Sequence, residues 1–556
     1  MHKVSLSLEK DRKSSTVNLR NVTLWQSFQK LLVSTEYIVP VIITAIFAYG
    51  YFLTHLAVGL DDLASDRYNS LELFAQGRIT GTLVTHLLGT TDSIYHSWSI
   101  DFIGIVLFVI SGIVLSSLFL ILLEDEKSLL PYTIFTCLYI TNPLASEIFS
   151  FLGTSIAIGT GIILIAIALY WILIAQERRM FRYYTYSFLI LLLLSSWYES
   201  VLSVYVCAVF AIFIIELQKD QVSLNLKKIV NEGLKFAFPL LFAVIVEFVI
   251  SSILRSVLGI ENSVNARNSI IYGSSRFVDI IRVLIEKLIR DYIVMGFWYF
   301  PITILLYSLI FSVIFCVRDC LKHKSATPLL LYGGMYLSIV LLSLIQGMSV
   351  GYRTAQVVYF FVAFIGMLLV THGRGYGKKV IIFLIILIIY LQGNDLNKWF
   401  TLDYLRSEEE RHVVQHIGFE IEKNYGSLKP IVFVGEYVLS DNLLDRIMIP
   451  TDDRIYKIID KYHSLSAIPG RPEYWRRIQR YNTYSYISYG VNGFNEVNTE
   501  LLKLFSYYGF DFKQGSITMY EEAKILMNAM PGWPQNGSIR DMGEYIIVNL
   551  GNESSL

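Results

Sequence analysis

Nine apolar runs, each near the length of a membrane-crossing helix, dominate residues 37–392 and decide what this chain can become. A helix needs about 20 apolar residues to cross the hydrocarbon. The runs 37–57, 101–123, 129–149, 154–175, 234–254, 293–317, 327–346, 354–372 and 378–392 meet or approach that length, the last drawing on flanking residues at the interface. Only 17% of the residues are charged and 54% are hydrophobic, with a mean hydropathy of +0.51, so lipid rather than water has to cover the excess.

A tenth stretch, 183–217, is too long for one upright span and is interrupted by Ser195-Ser196-Trp197-Tyr198-Glu199-Ser200. One helix would bury Glu199 at mid-membrane depth; two shorter helices joined near Trp197 avoid that cost and turn the carboxylate toward a cavity. The expectation is therefore about eleven transmembrane helices. Basic residues in the short loops (Arg178-Arg179, Lys219 to Lys235, Arg318 to Lys324, Arg374 with Lys378 and Lys379) favour a cytoplasmic N-terminus. Residues 1–36 then form a cytoplasmic segment, and 37–392 the membrane domain with outer loops 58–100 and 255–292. Residues 393–556 form an extracytoplasmic domain. No cleavable signal is expected, since the first apolar run lacks a small-residue cleavage signature.

The loop 255–292 breaks the charge rule. Arg255, Arg267, Arg276, Arg282, Lys287 and Arg290 crowd an outer segment whose Phe277, Ile280, Ile281, Leu284, Ile285 and Leu288 recur at helical spacing. An anionic ligand would explain basic charge there. The tail is net acidic and reads as α/β. A helix is expected over 394–425 with Trp399, Leu402, Leu405, Val413, Ile417 and Ile421 on one face and the charged set Arg406 to Arg411 opposite. Strands are expected at 430–435 and 544–550. Its aromatic and basic middle, Tyr474-Trp475-Arg476-Arg477 through Tyr489, suits either an interfacial or a sugar-binding surface. The cysteines (Cys137, Cys207, Cys316 and Cys320) lie in or beside apolar runs and make a poor metal site. A nucleic-acid partner, whose footprint is a strongly basic face, is excluded.

Chemistry concentrates in the first outer loop. Asp61 and Asp62 stand side by side beyond the first span, with Arg67 and Arg78 following. A partly desolvated carboxylate at a membrane face suits a general base, and an arginine suits a phosphate; the plainer alternative has Asp62 capping a helix and Asp61 solvated. Arg353, beside Tyr352, either holds a phosphate or snorkels to headgroups. A base, basic groups and a lipid surface together suit glycosyl transfer from a polyprenyl phosphate.

In these segments the chain resembles the GtrII-type glucosyltransferases of the GT-C fold class. The matching pieces are Asp61-Asp62, Gln76-Gly77-Arg78, Ser196-Trp197-Tyr198-Glu199-Ser200, Trp399 to Arg411, Lys429 to Gly435 and Met530-Pro531-Gly532-Trp533-Pro534 with Gly537-Ser538-Ile539, in order along nearly the whole chain. The resemblance implies a bacterial plasma-membrane hexosyltransferase. It moves a glucose-like sugar from undecaprenyl phosphate to a cell-surface polysaccharide, as in O-antigen modification, with inversion and with Asp61 or Asp62 as base. From their charge and place Arg67, Arg78, Arg276, Arg282 and Arg353 are expected to bind the donor phosphate, and Tyr198 and Glu199 are expected at the same substrate site. Glu199 stands where the family often has Gln, and Ile79 where an aromatic is common, which bears on donor or acceptor identity. Some GT-C enzymes use a divalent cation, Mg or Mn; nothing in this sequence requires one. The rival readings are a polysaccharide polymerase or ligase with a diphosphate-linked donor, and a flippase of lipid-linked sugars. Few charged groups within the spans and a tail of 163 residues from Asn394 argue against the flippase.

Overall fold

The computed structural model describes residues 23–58, 78–88, 98–123, 128–150, 153–219, 226–258, 303–346, 354–426, 428–435 and 498–551, together with positions 281, 285, 437 and 487. Helix α1 (Leu24–Val33) starts on a capping box, in which Gln26 N–H donates to the Thr23 hydroxyl and Thr23 N–H to the Gln26 side chain. It exposes Trp25 and Leu32 and leads into α2 (Thr35–Thr54), the first membrane-length helix. Then follow α3 (Ile79–Leu88), α4 (Trp98–Leu123), α5 (Leu130–Ile140), α6 (Ser146–Phe149), α7 (Thr154–Arg178), α8 (Phe181–Ser195), α9 (Leu202–Gln218), α10 (Leu226–Leu258), α11 (Thr303–His323), α12 (Thr327–Leu337), α13 (Leu341–Gln346), α14 (Gln356–His372) and α15 (Gly375–Asn424).

Helix α14 is the bundle axis, with Val357 to Ile365 all buried. Helices α4 and α7 approach closely at Gly159, where an added Cβ would stand 2.8 Å from the backbone of Leu107 and Phe108. Small residues at such crossings replace the hydrophobic driving force that lipid cannot supply. Hydroxyls bridge the helices as well: Tyr37 to Thr136 at 2.6 Å, Thr136 to Ser116 at 2.8 Å, and Tyr49 to the Ile140 carbonyl at 2.6 Å. On the bundle surface α10 exposes Phe238, Phe242, Phe248 and Ile253, an apolar face that only lipid accommodates.

The eleven expected spans reduce to seven helices, among the described residues, long and apolar enough to cross a membrane: Thr35–Thr54, Trp98–Leu123, Thr154–Arg178, Glu199–Gln218, Leu226–Val257, Thr327–Ile345 and Gly375–Asn424. The run 129–149 is no single helix. Helix α5 stops at Ile140, Asn142 caps a short turn from Pro143, and α6 restarts at Ser146, because the proline cannot continue the ladder. Helices α5, α8 and α14 are apolar but only 11, 15 and 17 residues long. The break expected near Trp197 is present: α8 ends at Ser195 and a 3-10 turn, Glu199–Val201, leads into α9. Ile281 and Ile285 are helical and exposed; the rest of 259–302 lies outside the described residues.

No break separates membrane from tail. Helix α15 runs 50 residues through position 393, so the expected span 378–392 and the expected helix 394–425 are one rod. Along its buried stripe Trp399 and Leu402 join the membrane core, then Arg406, Ser407 and Glu410 are buried, then Val413, Val414, Ile417 and Ile421 join a separate core. The charged set does not lie wholly opposite the apolar face, as the sequence suggests: two of its charged members, Arg406 and Glu410, occupy that face with Ser407.

The tail core packs on α15 and a four-stranded sheet of order β2-β1-β4-β3, with β1 (Pro430–Val434), β2 (Lys513–Gln514), β3 (Ile539–Asp541) and β4 (Ile546–Asn549). The pairs β1–β2 and β1–β4 are parallel and β3–β4 antiparallel. Buried on both faces, β1 and β4 form the continuous apolar runs that parallel strands need. Helices α16 (Thr499–Tyr507) and α17 (Ile517–Leu526) cover the two faces. At the carboxyl end of β1, Gly435 adopts φ +80° against Gly551, where no side chain fits.

Candidate functional site

Two segments far apart in the sequence meet at the α8–α9 break. Because the chain leaves helical geometry there, the Ser196 carbonyl is free to accept from outside. It receives the Thr80 and Gly81 N–H groups of the first turn of α3 at 3.1 and 3.4 Å. The Thr80 and Ser196 hydroxyls meet at 2.6 Å. Arg78 N-terminally flanks α3, its carbonyl accepting from Thr82 N–H and the Thr82 hydroxyl. That docking puts the Arg78 guanidinium 3.5 Å from Glu199 and 5.6 Å from the centre of the Tyr198 ring.

The side chains of Arg78 and Glu199 are 21% and 39% exposed. An ion pair so open contributes about 0–1 kcal/mol to stability, too little to explain carrying it into a membrane protein. A partly exposed guanidinium fixed by a carboxylate and an aromatic face is chemically suited to meet an anion.

The junction lies on the tail side of the bundle. The Glu199–Val201 turn after Tyr198 packs on α14, whose Tyr359 hydroxyl donates to the Leu144 carbonyl at 3.3 Å. Phe149, at the end of α6, packs on Phe400 of α15, and the Ser150 hydroxyl donates to Asp403 at 3.4 Å. A narrow crevice lies among Phe52, His55, Phe149, Ser150, Asp403 and Arg406.

Two buried acids here escape a reading by apolar runs. Glu147 on α6 and Asp101 in the first turn of α4 are 4% and 2% exposed. Their signal in the sequence is a carboxylate inside or at the rim of an apolar run, the same signal that singles out Glu199.

Of the expected site residues the structure brings Arg78, Tyr198 and Glu199 together. Asp61, Asp62, Arg67, Arg276, Arg282 and Arg353 lie outside the described residues. The described chain ahead of the aspartates ends at Val58, which is buried in the tail core. Among the described residues no group of three or more His, Cys, Asp or Glu is placed to hold a metal ion, and the four cysteines are free thiols.

The model of the family "Glucosyl transferase GtrII" matches residues 50–370, more than half of the chain. No protein of curated function and no solved structure matches. The matched stretch holds Arg78, Tyr198, Glu199 and the aspartate pair. It ends before Trp399 to Arg411, Lys429 to Gly435 and Met530 to Pro534, so the resemblance expected over nearly the whole chain is carried by the membrane domain alone. A multi-pass helical bundle whose matched stretch includes both halves of the Arg78–Glu199 junction thus belongs to the GtrII glucosyl transferase family, and is a glycosyltransferase.

Proposed function

We propose that the protein transfers a sugar from a polyprenyl phosphate, undecaprenyl phosphate in a bacterial plasma membrane, to a surface polysaccharide, and does so with inversion. The observation that carries this reading is the half-open Arg78 guanidinium held between Glu199 and Tyr198 at a break in the bundle, beside apolar helices that suit a lipid chain. Arg78 takes the donor phosphate, with Arg67, Arg276, Arg282 and Arg353 as further cationic groups. Glu199 and Tyr198 keep the guanidinium aimed.

The acceptor hydroxyl oxygen forms a bond to the sugar C1 from the face opposite the phosphate. Asp61 or Asp62 takes the hydroxyl proton while the C1–O bond breaks, and the electron pair leaves on the lipid phosphate. Positive charge already oriented toward that oxygen stabilises the transition state more than the ground state. The N-terminus is cytoplasmic and the tail extracytoplasmic in this reading, supported by the loop charges.

The test is turnover of a synthetic polyprenyl-phosphate sugar by purified protein with candidate acceptor glycans. Transfer with the monophosphate donor, lost in either Asp61→Asn or Asp62→Asn, is the expected result. Transfer only from a diphosphate-linked donor, or movement of the lipid-linked sugar between leaflets without transfer, overturns the proposal.

A further inference from the structure

Residues 56–58 leave α2 without joining a helix or a sheet, so the buried backbone at Val58 needs partners from elsewhere. It finds both on α15. Val58 N–H donates to the Ser407 hydroxyl at 3.1 Å, and the Arg406 guanidinium donates to the Val58 carbonyl at 3.1 Å. Val58, Arg406 and Ser407 are 6%, 3% and 5% exposed, and the Val58 side chain is part of the tail core with Val413, Val414 and Ile417. One turn further along, Glu410 accepts from the Ile487 N–H at 3.3 Å, so the same polar stretch of α15 also fastens the tail.

Burying a guanidinium costs several kcal/mol before its interactions offset it. An apolar side chain at position 406 would continue the stripe from Leu402 to Val413 with no such cost. Arg406 therefore needs a purpose other than packing, and its contact names one: it grips the main chain where the first loop begins. Asp61 and Asp62 follow Val58 by three and four residues, at most about 11 and 14 Å of extended chain.

We infer that Arg406 and Ser407 are positioning residues for sugar transfer, clamping the backbone at Val58 so that the loop bearing Asp61 and Asp62 starts from a fixed point on the long helix. The inference rests on the reading that one of these aspartates is the base. The clamp joins the family-matched part of the chain to a helix beyond it.

The experiment uses full-length protein in nanodiscs and reads two quantities: initial rates with a polyprenyl-phosphate sugar, and hydrogen exchange at Val58 and the residues after it. Ser407→Ala removes the hydroxyl that accepts from Val58 N–H and also meets the Tyr508 side chain, with little change in volume. Arg406→Met keeps the stem and removes the donors, and Arg406→Lys restores one donor. Misplacing a reacting group by about 1 Å costs on the order of a hundredfold. Expected are a kcat lowered roughly tenfold to a hundredfold in Ser407→Ala and Arg406→Met with donor KM unchanged, partial rescue in Arg406→Lys, and faster exchange at Val58 while β1 and α14 stay protected. If Arg406→Met fails to fold, Ser407→Ala still decides.

Unchanged rates in Ser407→Ala and Arg406→Met, with Asp61→Asn or Asp62→Asn inactive, overturn the clamp alone. Turnover surviving in both aspartate variants overturns the base reading and with it the purpose of the clamp. Faster exchange at Val58 without loss of kcat overturns the positioning role.

Discussion

Arg78 and Glu199 divide the work unequally, and their variants will differ accordingly. A charge-assisted hydrogen bond to a phosphate is worth about 1.5–3 kcal/mol, so Arg78→Ala is expected to lower kcat/KM for the lipid donor roughly tenfold to a hundredfold in initial-rate assays. Arg78→Lys recovers part of the loss, since a point charge replaces the planar fork. Glu199→Gln keeps the shape and leaves Arg78 over Tyr198, so its loss in the same assay stays below that of Arg78→Ala. An equal or larger loss would give Glu199 a direct role in transfer. Sequence reasoning reaches each residue separately, Arg78 from its place beside the aspartate pair in the first outer loop and Glu199 from its cost in a span. Their pairing is not legible, because it depends on the Ser196 carbonyl being released by a helix break and taken up by α3. Arg406 is misread for a related reason. A charge on a helix is assigned to water by default, and only the converging backbone of Val58 reveals that this one is inside.

Among the elements, regular apolar helices and buried strands are the legible part. Helices α2, α4 and α7 and strands β1 and β4 fall near their expected positions because one physical rule, burial in lipid or between two layers, fixes each of them. The segment 129–149 is not legible as a span, since Asn142-Pro143 ends a helix inside a run whose average hydropathy hides the break. The α4–α7 crossing leaves no room for added volume at Gly159. Gly159→Leu is expected to lower the melting temperature in detergent markedly, as an overpacked core costs about 1–3 kcal/mol or more and the obstacle here is backbone. In the tail, Lys429 donates to both oxygens of Asp541 at 2.8 and 2.6 Å, and Gly543 N–H adds a bond at 2.8 Å. The Lys429 bond first, and then the Gly543 bond, hold this carboxyl below the usual aspartate value. A lowered value in the fold means stabilisation that is present above the unfolded value of about 3.9 and lost as pH falls through the folded one. Asp541→Asn should therefore unfold at a lower temperature than the parent at neutral pH, and tryptophan fluorescence melts should converge below about pH 4.

On the scale of the whole molecule, one unbroken helix joins the lipid-facing bundle to the tail. Inserting two alanines between Asn394 and Asp395 turns everything beyond by about 200°, which takes Arg406 and Ser407 away from Val58. The expected result is protein that still inserts and retains a folded sheet by hydrogen exchange, but transfers sugar at least about a hundredfold more slowly; near-normal rates would mean the two halves work independently. The same helix also measures height. Lys379 and Arg406 are separated by 27 residues of continuous helix, about 40 Å at 1.5 Å per residue, close to the thickness of a bilayer with its headgroups. In the orientation proposed above, with Lys379 at the inner headgroups, the buried polar stretch of α15 would sit at the altitude where lipid phosphates lie. A donor approaching sideways through the membrane would arrive with its phosphate already at that level and its sugar directed at the aqueous edge, with no need to be drawn out of the leaflet before it reacts.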